Sequence, residues 1–97
     1  VVKDAAFGSA LGPDYASFAR PIYPARALRR HKEGTVLVRL RIDKTGAPQE
    51  VRILRSAGRD LDAAAKDAVL SSTFRPLMRG GVPQPCWTEI PITFRLR

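Results

Sequence analysis

The sequence predicts an α+β domain. Its sheet is expected to be three-stranded and antiparallel, in the spatial order second–first–third, with two helices packed on one face. Three patterns carry that expectation. Residues 35–42 and 88–97 alternate apolar and polar with the period of two that marks a half-buried strand. Residues 60–71 instead repeat at helical spacing, with Leu61, Ala64, Ala65, Ala68 and Val69 on one stripe. An antiparallel hairpin, a helix and a further strand, in that order, close most simply as helices layered on one side of a small sheet.

Taken from the N-terminus, residues 1–19 hold Gly8, Ser9, Gly12, Pro13 and Ser17 without a sustained period. They read as a flexible arm or the end of a linker, with Phe7, Tyr15 and Phe18 available to dock on the domain that follows, residues 20–97. Tyr23 precedes a proline and is pushed toward an extended conformation. Pro24 suits the first position of a short helix over residues 24–30. That helix would turn Ala27 and Leu28 inward and leave Arg26, Arg29 and Arg30 in solvent.

In residues 35–42, Val36, Val38, Leu40 and Ile42 share one face. The run carries neither Gly nor Pro, which suits the centre of the sheet. Asp43-Lys44-Thr45-Gly46 is a turn, and residues 50–56 return as a second strand with Val51 and Ile53 inward. Asp60 is placed as the N-cap of the second helix, and Asp62 adds favourable charge to its first turn. Pro76 stops that helix, and Gly80-Gly81 turns the chain toward the last strand.

Ninety-seven residues with a hydrophobic fraction of 44% make one modest core, and no apolar run nears the ~20 residues of a membrane span. The chain begins at Val1, and it reads as a piece of a longer protein. Seventeen Lys and Arg against nine acids give a net charge of +8, which favours acidic partners. The one cysteine, Cys86, has no partner within the chain.

Nothing points to catalysis. His31 sits in a basic run, Asp60 and Asp62 are explained by the start of a helix, and Arg79-Gly80-Gly81 lacks the helix a phosphate loop requires. No metal site or cofactor is expected. Nucleic acid is a second thought for a basic α+β sheet, but the face away from the helices is expected to carry Leu37, Arg39, Arg41, Arg52 and Leu54, without the aromatics that stack on bases.

That leaves the last strand. Ile90, Ile92, Phe94 and Leu96 point one way and Glu89, Pro91, Thr93, Arg95 and Arg97 the other. Proline lacks an N–H, so Pro91 confines the strand to a sheet edge and faces the open side. Glu89, Thr93 and Arg95 then offer their backbones to an incoming strand. A handful of such bonds, at ~1 kcal/mol each, against an association cost of at least ~4 kcal/mol, needs added side-chain contacts to reach ~−8 kcal/mol, the micromolar range. The other reading is an ordinary edge, kept from aggregation by Pro91 and the flanking arginines.

A succession of short motifs bears on that choice. It runs Tyr23-Pro24-Ala25-Arg26-Ala27, Glu33-Gly34-Thr35-Val36, Asp43-Lys44-Thr45-Gly46, Val51-Arg52-Ile53-Leu54-Arg55-Ser56-Ala57-Gly58, Leu61-Asp62-Ala63-Ala64-Ala65, Thr73-Phe74-Arg75-Pro76 and Ile90-Pro91-Ile92-Thr93-Phe94. In this order it resembles the TonB C-terminal domain, from about residue 20 to the end. The resemblance implies a periplasmic, non-enzymatic domain of an inner-membrane-anchored protein. Such a domain binds the TonB box of an outer-membrane active transporter by strand addition and passes on energy from ExbB and ExbD. It implies that residues 89–97, with Glu89, Pro91, Thr93, Arg95 and Arg97, form the box-binding edge. It places Arg20, Pro21, Ile22, Tyr23 and Pro24 in a contact motif ahead of the first helix, and Arg26 toward the transporter plug. The motif often begins Gln-Pro, where this chain has Arg20-Pro21. A homodimer that exchanges final strands is compatible with the same edge. The alternatives are a TonB-like module of a sensor or secretion system, and a basic RNA-binding module. Cys86 is expected to be buried under Trp87, and Tyr23 to pack below the sheet with its hydroxyl satisfied.

Overall fold

The computed structural model describes residues 1–96. The α+β class holds, and the sheet has one strand more than the sequence predicts. Its order is β1–β8–β3–β4, where β1 is Val2–Ala5, β3 Gly34–Ile42, β4 Pro48–Arg55 and β8 Cys86–Phe94. The predicted order second–first–third survives as β4–β3–β8. The added strand, β1, lies parallel to β8 on its outer flank, with Val2 opposite Cys86 and Ala5 opposite Thr88.

β3 is an inner strand, between β4 and β8, in keeping with the absence of Gly and Pro from residues 35–42. Val36, Val38, Leu40 and Ile42 are fully buried, and Ile90, Ile92 and Phe94 on β8 meet them on the same face. The second helix, α2 (Arg59–Ser71), lies against that face through its alanine-rich stripe; Leu61, Ala64, Ala65, Ala68 and Val69 are its buried residues. Alanine at these positions brings the helix axis close to the sheet. The first helix, α1 (Ala25–Arg29), packs beside α2 and buries Ala27.

Several local expectations are corrected. Gly58, not Asp60, is the N-cap of α2. The reach-back is made by Asp62, whose carboxylate accepts from the Ala57 N–H at 2.9 Å and from the Ser56 hydroxyl. Pro24 is the N-cap of α1, with ψ 135°, so the helix begins one residue later. With only five helical residues, one side faces the core, and Leu28 is left 44% exposed. β8 starts at Cys86 and ends at Phe94, so Arg95 and Leu96 lie beyond it.

Two small two-stranded sheets lie outside the predicted scheme. β2 (Asp14–Ser17) pairs antiparallel with β5 (Thr73–Arg75). β6 (Leu77–Arg79) pairs with β7 (Val82–Gln84) across Gly80 and Gly81, whose φ values of 56° and 76° suit a tight hairpin turn. The arm is therefore placed against the domain: Phe7, Tyr15 and Phe74 form an aromatic cluster with ring centroids 4.9–6.2 Å apart. Gly46 is needed where it stands. Its φ is 89°, and a Cβ there would meet the Phe74 carbonyl oxygen at 1.9 Å.

Candidate functional site

The outer flank of β8 is built by register. β8 pairs with β3 without a break from Gly34–Phe94 to Ile42–Cys86. Pro91, which has no N–H, stands opposite Leu37, so that pair is not hydrogen-bonded. By alternation neither is Glu89 with Arg39, nor Thr93 with Thr35. The Thr35 and Thr93 hydroxyls lie 3.1 Å apart, as side chains do across such a close pair. The main-chain groups of Glu89, Pro91 and Thr93 therefore face away from β3. Pro85 shares this parity, and its carbonyl accepts the Val2 N–H at 3.1 Å.

The flank is divided. Along Cys86 to Thr88 it is taken by β1 of the same chain, and Thr88 adds a hydroxyl bond to the Ala5 carbonyl at 2.7 Å. The expectation of a wholly vacant edge is corrected there. From Glu89 to Phe94 no strand pairs with it among the described residues. Glu89, Pro91 and Thr93 are exposed along this stretch. Arg95 is exposed just past the strand; beside it the Leu96 N–H is held by the Glu33 carboxylate at 3.2 Å. Arg97 lies outside the described residues.

The pre-helix segment comes to the same place. Arg20 and Pro21 share a cleft of about 340 Å³ with Pro91, Ile92 and Thr93, walled by Tyr15 and Phe18. Tyr23 turns under the sheet, edge-on to Phe94, and its hydroxyl donates to the Lys32 carbonyl. Ile22 is 84% exposed. With Arg20, Pro21 and Pro24 it lines a separate groove of about 620 Å³ against Ala63, Ala64 and Ala68 of α2. Arg26 stands apart from both, beside Arg30, Lys32 and Asp60. Two of the expected groups thus converge on the free flank, while Ile22, Pro24 and Arg26 address other surfaces.

The face away from the helices differs from expectation. Trp87 lies on it, with the guanidinium carbons of Arg39 and Arg52 each 5.1 Å from its ring centroid. Neighbouring residues of a strand point to opposite faces, so Trp87 cannot cover Cys86. Cys86 is instead sealed in the core at 0% exposure, and burial pushes its thiol pKa up. The signal for Trp87 was present: extending the β8 alternation back by one step puts it in parity with Glu89 and Pro91. Because two guanidiniums already engage its ring, this aromatic is a poor platform for a base.

Among the described residues no group of His, Cys, Asp or Glu is disposed to hold a metal ion, and no helix is long and apolar enough to cross a membrane.

A family profile described as Gram-negative bacterial TonB protein C-terminal matches residues 19–96. Protein tonB2 of Pseudomonas aeruginosa is 44% identical over 77 residues, which is 78% of this chain and 28% of that protein. Protein TonB of Vibrio cholerae is 36% identical over 78 residues, 79% of this chain and 32% of its own length. The chain spans about a third or less of the length of these curated relatives. In fold it is similar to the solution NMR structure of the Pseudomonas aeruginosa TonB CTD, with a TM-score of 0.78 at 22% identity, covering 95% of this chain and 93% of that one.

Proposed function

The chain belongs to the TonB C-terminal domain family, and from that premise we propose that it is a periplasmic, non-catalytic adaptor domain that binds outer-membrane active transporters. It takes the transporter's TonB box as an added strand on β8 and carries to it energy from an inner-membrane proton-driven motor of the ExbB and ExbD kind, engaged by parts of the protein outside this chain. The observation that supports the reading is the outward main chain of Glu89, Pro91 and Thr93 on a flank without a strand partner among the described residues.

Placement supports a division of labour. Glu89, Pro91 and Thr93 supply backbone bonds. Arg20 and Pro21 adjoin the same flank and supply side-chain contact and positive charge toward an acidic partner. Arg95 extends that charge beyond the strand, and Arg26, on another surface, meets the plug. The exposed Ile22, in the separate groove against α2, offers apolar contact on a neighbouring surface. The net charge of +8 favours encounter with an acidic surface, and the association rate falls with added salt.

Thr93→Pro tests the reading. The residue is exposed, its N–H faces the free flank, and an extended strand tolerates the proline ring at an edge. Losing one backbone bond, ~1 kcal/mol, weakens a TonB-box peptide about fivefold in calorimetry. Unchanged affinity contradicts binding by strand addition on this flank.

A further inference from the structure

β1 is a strand added to the β8 flank from within the chain, and the groups that hold it specify what that position accepts. Arg39 rises from β3 with its guanidinium against the Trp87 ring, 5.1 Å from the centroid, and Glu89 3.7 Å away. Its Nη1 donates to the Asp4 carboxylate at 3.1 Å and its Nη2 to the Lys3 carbonyl at 2.8 Å. One side chain therefore reads both a carboxylate and the adjacent main chain of a strand lying parallel to β8. Val2 and Ala5 meanwhile pack on the margin of the core.

We propose that Arg39, positioned by Trp87 and Glu89, is a specificity site for a parallel strand bearing a carboxylate, and that residues 2–5 fill it in cis as a displaceable stand-in for an external strand. This deepens the proposed function and rests on it for the identity of the visitor. Residues 2–5 are a weak occupant. They form only four residues of strand, the register shifts between Val2 and Ala5, and the Asp4 side chain is 81% exposed. The arm leaves the flank after Ala5, and Gly8, at φ 82°, binds back to the Pro13 carbonyl. An external strand that enters at the position of Val2 has no such turn. It continues along Glu89, Pro91 and Thr93, gains the bonds that β1 never makes, and presents its own acid to Arg39. Tethering gives the internal strand an effective concentration of about a millimolar, so it suppresses weak strands and yields to those that use the whole flank.

The test needs no transporter. The probe is a synthetic peptide repeating residues 1–7, in its Asp form and with Asn in place of that Asp, titrated into the full chain and followed at the amides of Trp87, Thr88 and Glu89. In Asp4→Arg the internal strand meets Arg39 with like charge and releases the flank. The Asp peptide is expected to bind this variant about tenfold or more tighter than the parent chain, and the Asn peptide to bind it about fivefold more weakly than the Asp peptide. Adding Arg39→Gln abolishes the difference between the two peptides. Equal affinity for the parent and Asp4→Arg chains, no binding to Asp4→Arg, or no discrimination between the peptides overturns the proposal. Success here alongside a transporter segment that fails to bind removes the proposed function and leaves the internal site standing; the converse removes only the internal site.

Discussion

Tyr23 stands edge-on to Phe94, with ring centroids 5.5 Å apart and planes at 83°. This contact joins the segment ahead of α1 to the end of β8. The Tyr23 hydroxyl donates to the Lys32 carbonyl, so the ring is fixed at its far end as well. Arg20 and Pro21, a few residues upstream, are thereby held beside Pro91 and Thr93.

Tyr23→Phe removes the hydroxyl bond and keeps the ring pair. It is expected to lower stability slightly in urea unfolding and to leave peptide binding nearly unchanged. Tyr23→Ala also loses the ring pair, worth about 0.5–1.5 kcal/mol beyond its buried area. It should cost clearly more and weaken binding as well, because the Arg20–Pro21 segment loses its anchor. Equal costs for the two variants would show that the ring pair contributes nothing.

Cys86 has no disulfide partner and is sealed in the core, and its thiol is held above its ordinary pKa chiefly by burial. The thiolate is the reactive form. A thiol reagent at neutral pH is therefore expected to leave the folded chain unmodified and to label it stoichiometrically in urea. Rapid labelling of the folded chain contradicts the burial. A covalent dimer through this thiol requires unfolding first.

Asp43 organises the turn between β3 and β4. Its carboxylate accepts from the Thr45 and Ala47 N–H groups at 2.8 and 3.0 Å, and from the Thr45 hydroxyl and the Gln49 amide. The Thr45 hydroxyl and the Ala47 N–H are the leading causes that hold its pKa below the ordinary aspartate value. The folded state then binds fewer protons than the unfolded one. The stability this contributes is fully present above the ordinary value of about 3.9 and is lost as the pH falls through the lowered value. Thermal unfolding of the parent chain should drop more steeply below pH 4 than that of Asp43→Asn. Parallel curves would contradict the assignment.

The sheet order and the core were legible because burial enforces period. Val36, Val38, Leu40 and Ile42 permit one inward face, and the α2 stripe from Leu61 to Val69 permits one helix face. What stayed hidden depends on partners distant in sequence. β2 and β5 are short, and neither has a period of its own before Tyr15 meets Phe74. β1 is four residues long and exists only because the β8 flank is there to pair with it. Within the candidate site, the outward parity of Glu89, Pro91 and Thr93 follows from a single proline. The approach of Arg20 and Pro21 to that flank depends on the Tyr23–Phe94 contact, which no local pattern encodes. The Arg39–Trp87–Arg52 stack escapes the sequence pattern for a narrower reason: the apolar alternation marks the last strand from Thr88, whereas pairing with β3 extends it back to Cys86.

Titrating the 15N-labelled chain with a TonB-box peptide asks whether β8 receives a foreign strand on its outer flank. The amides of Glu89 and Thr93 are expected to shift to saturation together, Pro91 having none to report, while those of Val38 and Leu40 in β3 barely move. Saturable binding that shifts residues elsewhere and leaves Glu89 and Thr93 unmoved would contradict strand addition there.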